Sequence, residues 1–317
     1  MLSPFHLRGR ALPVALALFA VLPGIARSQT PAPRLFFSDL VSGPNTGGQG
    51  NNGAFVTLYG NYFGSNPTVT VGGGQAIVTV APAPYLWYQK LTVQLGPRAQ
   101  TGNIVVSNSN GTSNGRPFTV SSGNIYFVAT NGSDANPGSY TAPWQTLVNA
   151  VQTAGASAGS IVYAMNGVSQ TTDDGQGWGA AITLRTAWCQ GTSAAPTALI
   201  AYPGATVTIG TSGTSPSYGI RATDSSAGGG ACGGNWVIAG LTLRGIQPIQ
   251  TAGPSTNWRI IGNDVSNPQA SGNNGGGSAL GVEQSTYTEV LGNNGHDMNL
   301  ASTDRLQQAF YPGTDSN

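Results

Sequence analysis

The run Gly295-His-Asp-Met-Asn299, with Asp304 and Arg305 close behind, is the densest polar cluster of the chain. His296 is one of two histidines, and the other, His6, lies in the N-terminal segment. Imidazole titrates near neutral pH, which makes His296 a candidate general base. Asp297 and Asp304 offer the hard carboxylate oxygens that calcium takes together with backbone and amide carbonyls. Asn, Asp and Gly runs are also ordinary turn chemistry, so a structural role stays open. Asp264 and Glu283 are further acidic candidates. Paired carboxylates for glycoside hydrolysis need a separation of about 5–10 Å, which Asp264 with Asp297 could satisfy by stacking on adjacent coils.

Cations are few. Lys90 is the only lysine, and Arg185, Arg221, Arg244, Arg259 and Arg305 are the arginines of the second half. Arginine has a pKa above about 12 and is a poor base, but its planar fork grips carboxylates. Arg244 and Arg259 adjoin repeated strands and are the two best placed to face a ligand; the plain alternative is a solvated surface arginine. Asp173-Asp-Gly-Gln-Gly-Trp178 puts an acidic turn beside an aromatic, fit for a cation or a sugar ring, or simply a solvated loop. It lacks the ligand spacing and final glutamate of an EF-hand.

Three stretches must position these groups. Trp236-Val-Ile-Ala-Gly-Leu-Thr-Leu243, Trp258-Arg-Ile-Ile-Gly-Asn-Asp-Val265 and Thr288-Glu-Val-Leu-Gly-Asn-Asn-Gly295 share one pattern. Each reads as a short apolar strand with a glycine in its middle, and Gly240, Gly262 and Gly292 recur at a solenoid-like period of about 20–30 residues. Strands repeating in this way stack turn on turn around a continuous core, as in a parallel β-helix. Asn263 and Asn293, just after the glycines, suit a ladder of amides at the coil corner. Trp236 and Trp258 hold equivalent positions and read as core or corner packing.

Charged residues make up only 7% of the chain and the net charge is +1, so no basic surface exists to track a nucleic acid. Residues 1–28 read as a secretory signal: Arg8 and Arg10, an apolar stretch over 12–22, and Ala26-Arg-Ser28 before a cleavage near Gln29. A retained anchor is the alternative, and no other segment is apolar and long enough to span a membrane. In an exported chain the two cysteines, Cys189 and Cys232, suggest a disulfide. Residues 29–34 form a Pro-rich linker.

From residue 35 to 120, about seven short strands alternate with Gly, Asn and Pro turns, the mark of a small β-sandwich. Gly53-Ala-Phe-Val-Thr-Leu-Tyr-Gly-Asn-Tyr-Phe-Gly64, Pro67-Thr-Val-Thr-Val-Gly-Gly73, Gly102-Asn-Ile-Val-Val-Ser-Asn-Ser-Asn-Gly-Thr112 and Phe118-Thr-Val120 resemble the TIG/IPT immunoglobulin-like family. That resemblance implies a spacer or binding platform without catalytic residues.

Residues 123–317 resemble pectate-lyase-like right-handed β-helix proteins. The likeness rests on Ile125-Tyr-Phe-Val-Ala-Thr-Asn-Gly-Ser-Asp-Ala-Asn-Pro-Gly138, on the amphipathic cap Val148-Asn-Ala-Val-Gln152, and on Ser160-Ile-Val-Tyr-Ala-Met165 and Leu199-Ile-Ala-Tyr-Pro-Gly-Ala-Thr-Val-Thr-Ile209. The fold expected is therefore all-β: a small Ig-like sandwich followed by a right-handed single-stranded parallel β-helix. The resemblance implies a secreted, monomeric carbohydrate-active protein acting on an acidic polysaccharide by β-elimination. Its base would be His296 or an arginine, Arg244 or Arg259, with Ca2+ at Asp297 and Asp304. The sequence departs from that pattern twice. No lysine lies in the β-helix, and residues 300–317 show no capping element, as if the chain were incomplete. A non-catalytic adhesion protein and a hydrolase with paired carboxylates remain the alternatives.

Overall fold

The computed structural model describes residues 30–225, 230–267, 278–298 and 308–312. The expected signal segment and the candidates Asp304 and Arg305 lie outside these residues.

Arg34 to Val120 form one mostly antiparallel sheet that curls onto itself, with Ser42–Gly43 pairing in parallel with its last strand. Arg34–Ser38, Phe55–Asn61, Tyr88–Gln94 and Gly74–Tyr85 pair in that order, and the sheet continues through Thr68–Val71, Gly102–Asn108 and Arg116–Val120. The long strand Gly74–Tyr85 makes the curl. Its first residues pair with Thr68–Val71 and the remainder with Tyr88–Gln94, with register shifts at Val78/Val80 and Val80/Ala83. Extra residues of this kind bend a strand and strengthen its twist. Val56, Leu58, Val69, Leu91, Val93, Ile104 and Phe118 are buried in the core of the curl.

Beyond Val120 the described residues wind through three parallel sheets in rotation, and a fourth, two-stranded parallel sheet pairs Ser255–Thr256 with Ser285–Thr286. Sheet I stacks Ile125–Val128, Ile161–Ala164, Thr197–Ala201, Trp236–Ala239, Arg259–Ile261 and Glu289–Leu291. Sheet II stacks Ser169–Gln170, Thr208–Ile209, Thr242–Arg244, Asp264–Asn267 and Asn294–Met298. Sheet III stacks Ala180–Leu184, Tyr218–Ala222, Gln247–Gln250, Ser278–Val282 and Gln308–Pro312. Val162, Leu199, Ile238 and Ile260 of sheet I, Ile209, Leu243 and Val265 of sheet II, and Ile220, Ile249 and Leu280 of sheet III converge on one buried core. The helix Leu147–Gly155 lays Leu147, Ala150, Val151 and Ala154 against the same core. Its N-cap Thr146 accepts from Asn149 N, and Asp134 in turn receives Gln145 N, Thr146 N and the Thr146 hydroxyl.

The three repeated motifs are not single strands. Gly240, Gly262 and Gly292 have φ of +69°, +65° and +64° and sit at the corner where the chain leaves sheet I for sheet II. This left-handed backbone is nearly free for glycine and costly for other residues. The motif therefore contains the end of one strand and the start of another, which the apolar flanks on both sides conceal. The corner is held by an amide ladder. Asn263 takes Leu241 N on its Oδ1 (3.0 Å) and donates from Nδ2 to Ile238 O and Asn293 Oδ1, both at 2.9 Å. Asn293 repeats the bond one rung on, donating to Ile260 O at 2.7 Å. Trp236 and Trp258 are both buried in the core of the stack.

Cys189 and Cys232 form a disulfide with a Cα separation of 5.4 Å. Among the described residues no helix is long and apolar enough to cross a membrane.

Sheet I is buried on both faces. Val162, Leu199, Ile238 and Ile260 face inward, while the alternate residues Tyr163, Ile200, Ala239 and Ile261 lie against the curled sheet. Phe55 of that sheet meets the rings of Tyr163 and Tyr202 at 5.3 and 5.2 Å, and Tyr163 donates its hydroxyl to Phe55 O at 2.8 Å. Tyr59 covers Gly262 so closely that no Cβ fits there.

Asn263→Ala removes a fully buried amide and strands Leu241 N without its acceptor. It should cost about 2–3 kcal/mol, the sum of lost bonds and one unsatisfied buried group, read from urea unfolding. Reducing the disulfide, which closes a loop of 43 positions, should lower stability by up to about 4 kcal/mol on the chain-entropy model, read by the same method with and without reductant.

Candidate functional site

Three successive rungs of sheet II place charged groups on its outward face. Thr242, Asp264 and Asn294 are in register, and so are Arg244, Ser266 and His296. Leu243 and Val265 between them point into the core, so strand alternation sends Arg244, Asp264 and His296 outward. Rungs about 4.8 Å apart bring side chains on neighbouring strands within bonding reach.

Arg244 Nη2 lies 2.6 Å from Asp264 Oδ1, and Arg244 Nη1 also donates to the carbonyls of Leu243 and Asp264. His296 Nε2 lies 3.1 Å from Asp264 Oδ2, and its Nδ1 lies 2.8 Å from Asp297 Oδ2. Asn294 Nδ2 donates to Asp264 Oδ2 at 3.3 Å. Asp297 reaches back to its neighbour because it occupies a bulge. It has φ of +51°, and the register shifts between Ser266 and Asn267 opposite it. Aspartate is among the residues that tolerate this conformation. Arg244 is mostly covered, whereas Asp264 and His296 are open to solvent at 39% and 36%.

The electrostatics follow from these bonds. A neutral imidazole has one N–H, so it can donate to only one of its two carboxylate neighbours; the imidazolium donates to both. The hydrogen bond to Asp297, then that to Asp264, raise the His296 pKa above its ordinary value, and slight burial opposes them. Burial pushes the Asp264 carboxyl upward, but the bonds and charges of Arg244 and His296 outweigh it and hold the pKa below the usual value. These bonds favour the protonated imidazole and the ionised Asp264 carboxylate. His296 becomes a free base only above its raised pKa.

The curled sheet brings its own residues to this corner. Tyr85 donates its hydroxyl to Gly292 O at 2.6 Å, two positions before Asn294. Lys90 Nζ stands 4.8 Å over the Tyr85 ring, and partial burial there lowers its pKa although much of the side chain is exposed. Trp87, at the tip of the same hairpin, is 88% exposed. Lys90 lies on the curled sheet, and Tyr85 is the residue of this hairpin that reaches Gly292.

Arg259 does not join His296. It stands on sheet I beneath the curled sheet, donates to Ser38 O at 2.7 Å and Asp39 O at 3.1 Å, and pairs with Glu289. Burial lowers its pKa to about 10, against the charge of Asp39. Burial in turn raises the Asp39 pKa to about 6, although Thr57 N and Leu40 N donate to that carboxylate. A cleft of about 430 Å³ beside Arg259, lined also by Phe37, Arg116 and Leu291, lies on the sheet I side of the junction. Glu283 accepts from Gln250 on sheet III. The Asp173–Trp178 turn also lies at sheet III, where Asp174 accepts from Thr183 N at 2.6 Å.

Calcium fits the described residues poorly. They contain no group of three or more His, Cys, Asp or Glu side chains that could hold a metal ion. Both carboxylates near His296 are already bonded to that imidazole, and Asp264 to Arg244 as well.

No family model matches the chain, and no curated protein matches it. Among solved structures, a chain described as rhamnogalacturonan lyase aligns with a TM-score of 0.32 and 19% identity, over 60% of this chain and 50% of that one. The chain thus spans half the length of that protein. A likeness this loose leaves the reading of the site to its own geometry.

Asp297→Asn should lower the His296 pKa, and Asp264→Asn should lower it too, both followed by NMR titration of the imidazole. The raised pKa also makes stability depend on pH. The contribution of His296 is fully present below its unfolded value and is lost as pH rises through the folded one. That of Asp264 is present above its unfolded value and is lost as pH falls through the folded one.

Proposed function

We propose that the protein is a secreted carbohydrate-active protein that binds an acidic polysaccharide along the outward face of sheet II and cleaves it by β-elimination. In this reading the curled sheet is an immunoglobulin-like TIG/IPT module and the coil stack a right-handed, pectate-lyase-like β-helix. The carrying observation is the array Arg244, Asp264 and His296 on consecutive rungs of one parallel sheet. A line of hydrogen-bonding groups along a stack suits a polymer whose units also repeat along a line. The exposed hairpin beside it, with Tyr85 and Trp87, adds aromatic surface of the kind sugars stack on. The disulfide and the apolar N-terminal segment with its small-residue cleavage site favour export.

In β-elimination a base takes the proton α to the uronate carboxyl, the electron pair forms a carbon–carbon double bond, and the β carbon–oxygen bond breaks. The leaving oxygen gains a proton from water. His296 would take the α proton once deprotonated, and Arg244, two rungs away across Asp264, would draw the uronate carboxylate toward the site. No step is assigned to calcium.

A second reading, non-catalytic binding at a cell surface, is favoured by one observation. His296 has both ring nitrogens within hydrogen-bond reach of a carboxylate, Asp264 and Asp297, an arrangement that favours the imidazolium and needs no turnover to explain it.

The test is ultraviolet absorbance of the unsaturated uronate released from polygalacturonate, below and above the His296 pKa, with calcium and with chelator. Product that grows with pH and falls by about 100-fold or more in His296→Gln supports elimination. Binding without product under every condition removes elimination and leaves the adhesion reading. Absence of both binding and product removes both.

A further inference from the structure

Sheet III carries a second outward array. Thr183, Arg221, Gln250 and Gly281 stand in register on successive rungs, while Ile182, Ile220, Ile249 and Leu280 fill the core beneath them. Arg221 is held in place by aromatic faces. Its guanidinium carbon lies 4.3 Å from the Tyr218 ring centroid and 4.8 Å from that of Trp178, and Nη1 donates to Trp178 O at 3.3 Å. Such stacking fixes a planar fork without neutralising it.

Arg221 differs from Arg244 and Arg259 in its charge balance. Those two pair with Asp264 and Glu289. Among the described residues, no carboxylate pairs with Arg221, and the nearby acids are committed elsewhere. Asp174 accepts from Thr183 N, Thr183 Oγ1 and Gln176 N, and Glu283 accepts from Gln250 Nε2 at 2.8 Å. The other end of the Gln250 amide is unmet, since its Oε1 is buried without a hydrogen-bond partner. An unmatched, pre-oriented cation and an unmatched acceptor thus stand on adjacent rungs. A ligand that satisfies both carries an anion and a hydroxyl donor together. Trp178, half-buried in its loop, adds apolar surface for a ring.

We propose that Arg221, Trp178, Tyr218 and Gln250 form a subsite for a sugar acid, with the carboxylate on the Arg221 fork and a hydroxyl donating to Gln250 Oε1. The ligand class rests on the acidic-polysaccharide reading, but the residues lie on a different sheet from His296, so the two fail separately.

The test uses the full chain and the fluorescence of Trp178, isolated as the difference between the wild type and Trp178→Phe. Galacturonate should change that signal saturably and galactose should not. Arg221→Gln should weaken galacturonate about tenfold or more, the effect of losing a charged hydrogen-bond partner. Gln250→Leu should weaken it less, and His296→Gln should leave it unchanged. Arg221→Lys keeps the charge but loses the stacked fork, so weakened binding in a variant with unchanged thermal unfolding separates recognition from folding. Equal signals from galactose and galacturonate would overturn the carboxylate assignment. Sulfate displacing galacturonate at equal concentration, with no effect of Gln250→Leu, would reduce the site to a general anion site and overturn the sugar part. Galacturonate binding in a protein that neither binds nor cleaves the polymer would keep this subsite and remove the reading of the His296 face. Polymer cleavage with no Trp178 signal would remove only the subsite.

Discussion

The outer face of sheet I is apolar, and water cannot be left against it. Tyr163, Ile200, Val237, Ala239 and Ile261 would expose a continuous hydrophobic strip along the stack if the curled sheet were absent. Burying that strip is the constraint from which the remaining architecture follows. It commits the Phe55 and Tyr59 face of the curled sheet to the coils, although by alternation that face would otherwise meet solvent. It captures Arg259 and Asp39 at the seam, where carbonyls and a carboxylate compensate for burial. It also leaves sheets II and III as the faces on which a ligand can lie.

The same constraint explains what could be read from the sequence. Thr68–Val71 of the curled sheet was legible because one face is core and the other polar, which writes alternation into it. The coil strands were legible for the opposite reason. Burial on both faces writes unbroken apolar runs such as Ile161–Ala164 and Trp236–Ala239. The Asn263 and Asn293 ladder could be read from its spacing after the glycines. The sheet change at each glycine could not, because residues on both sides are apolar and a single left-handed residue leaves no other mark.

The site was legible in its parts and not in its assembly. His296, Asp297 and Arg244 stood out by type, but Arg244 and Arg259 could not be told apart, since both adjoin repeated strands. Their difference is which sheet each rung belongs to, and that depends on the corner. The bond between His296 and Asp264 joins residues 32 positions apart and follows from parallel register alone. Tyr85 escaped because nothing in a hairpin sequence says which surface its tip will meet. Two kinds of arginine result: Arg244 is balanced by Asp264 within the fold, while Arg221 is balanced by none of the described residues.

The corner glycines also separate the length of a turn from its alignment. The passage from Gly240 to Gly262 is shorter than that from Gly262 to Gly292, yet Asp264 and Asn294 enter sheet II in the same register. The glycine and its following asparagine act as an index mark that resets the chain at each revolution. Loops on the far side can therefore lengthen, shorten or change composition while Arg244, Asp264 and His296 keep their relative places, so the surroundings of the array can diversify without disturbing the array itself.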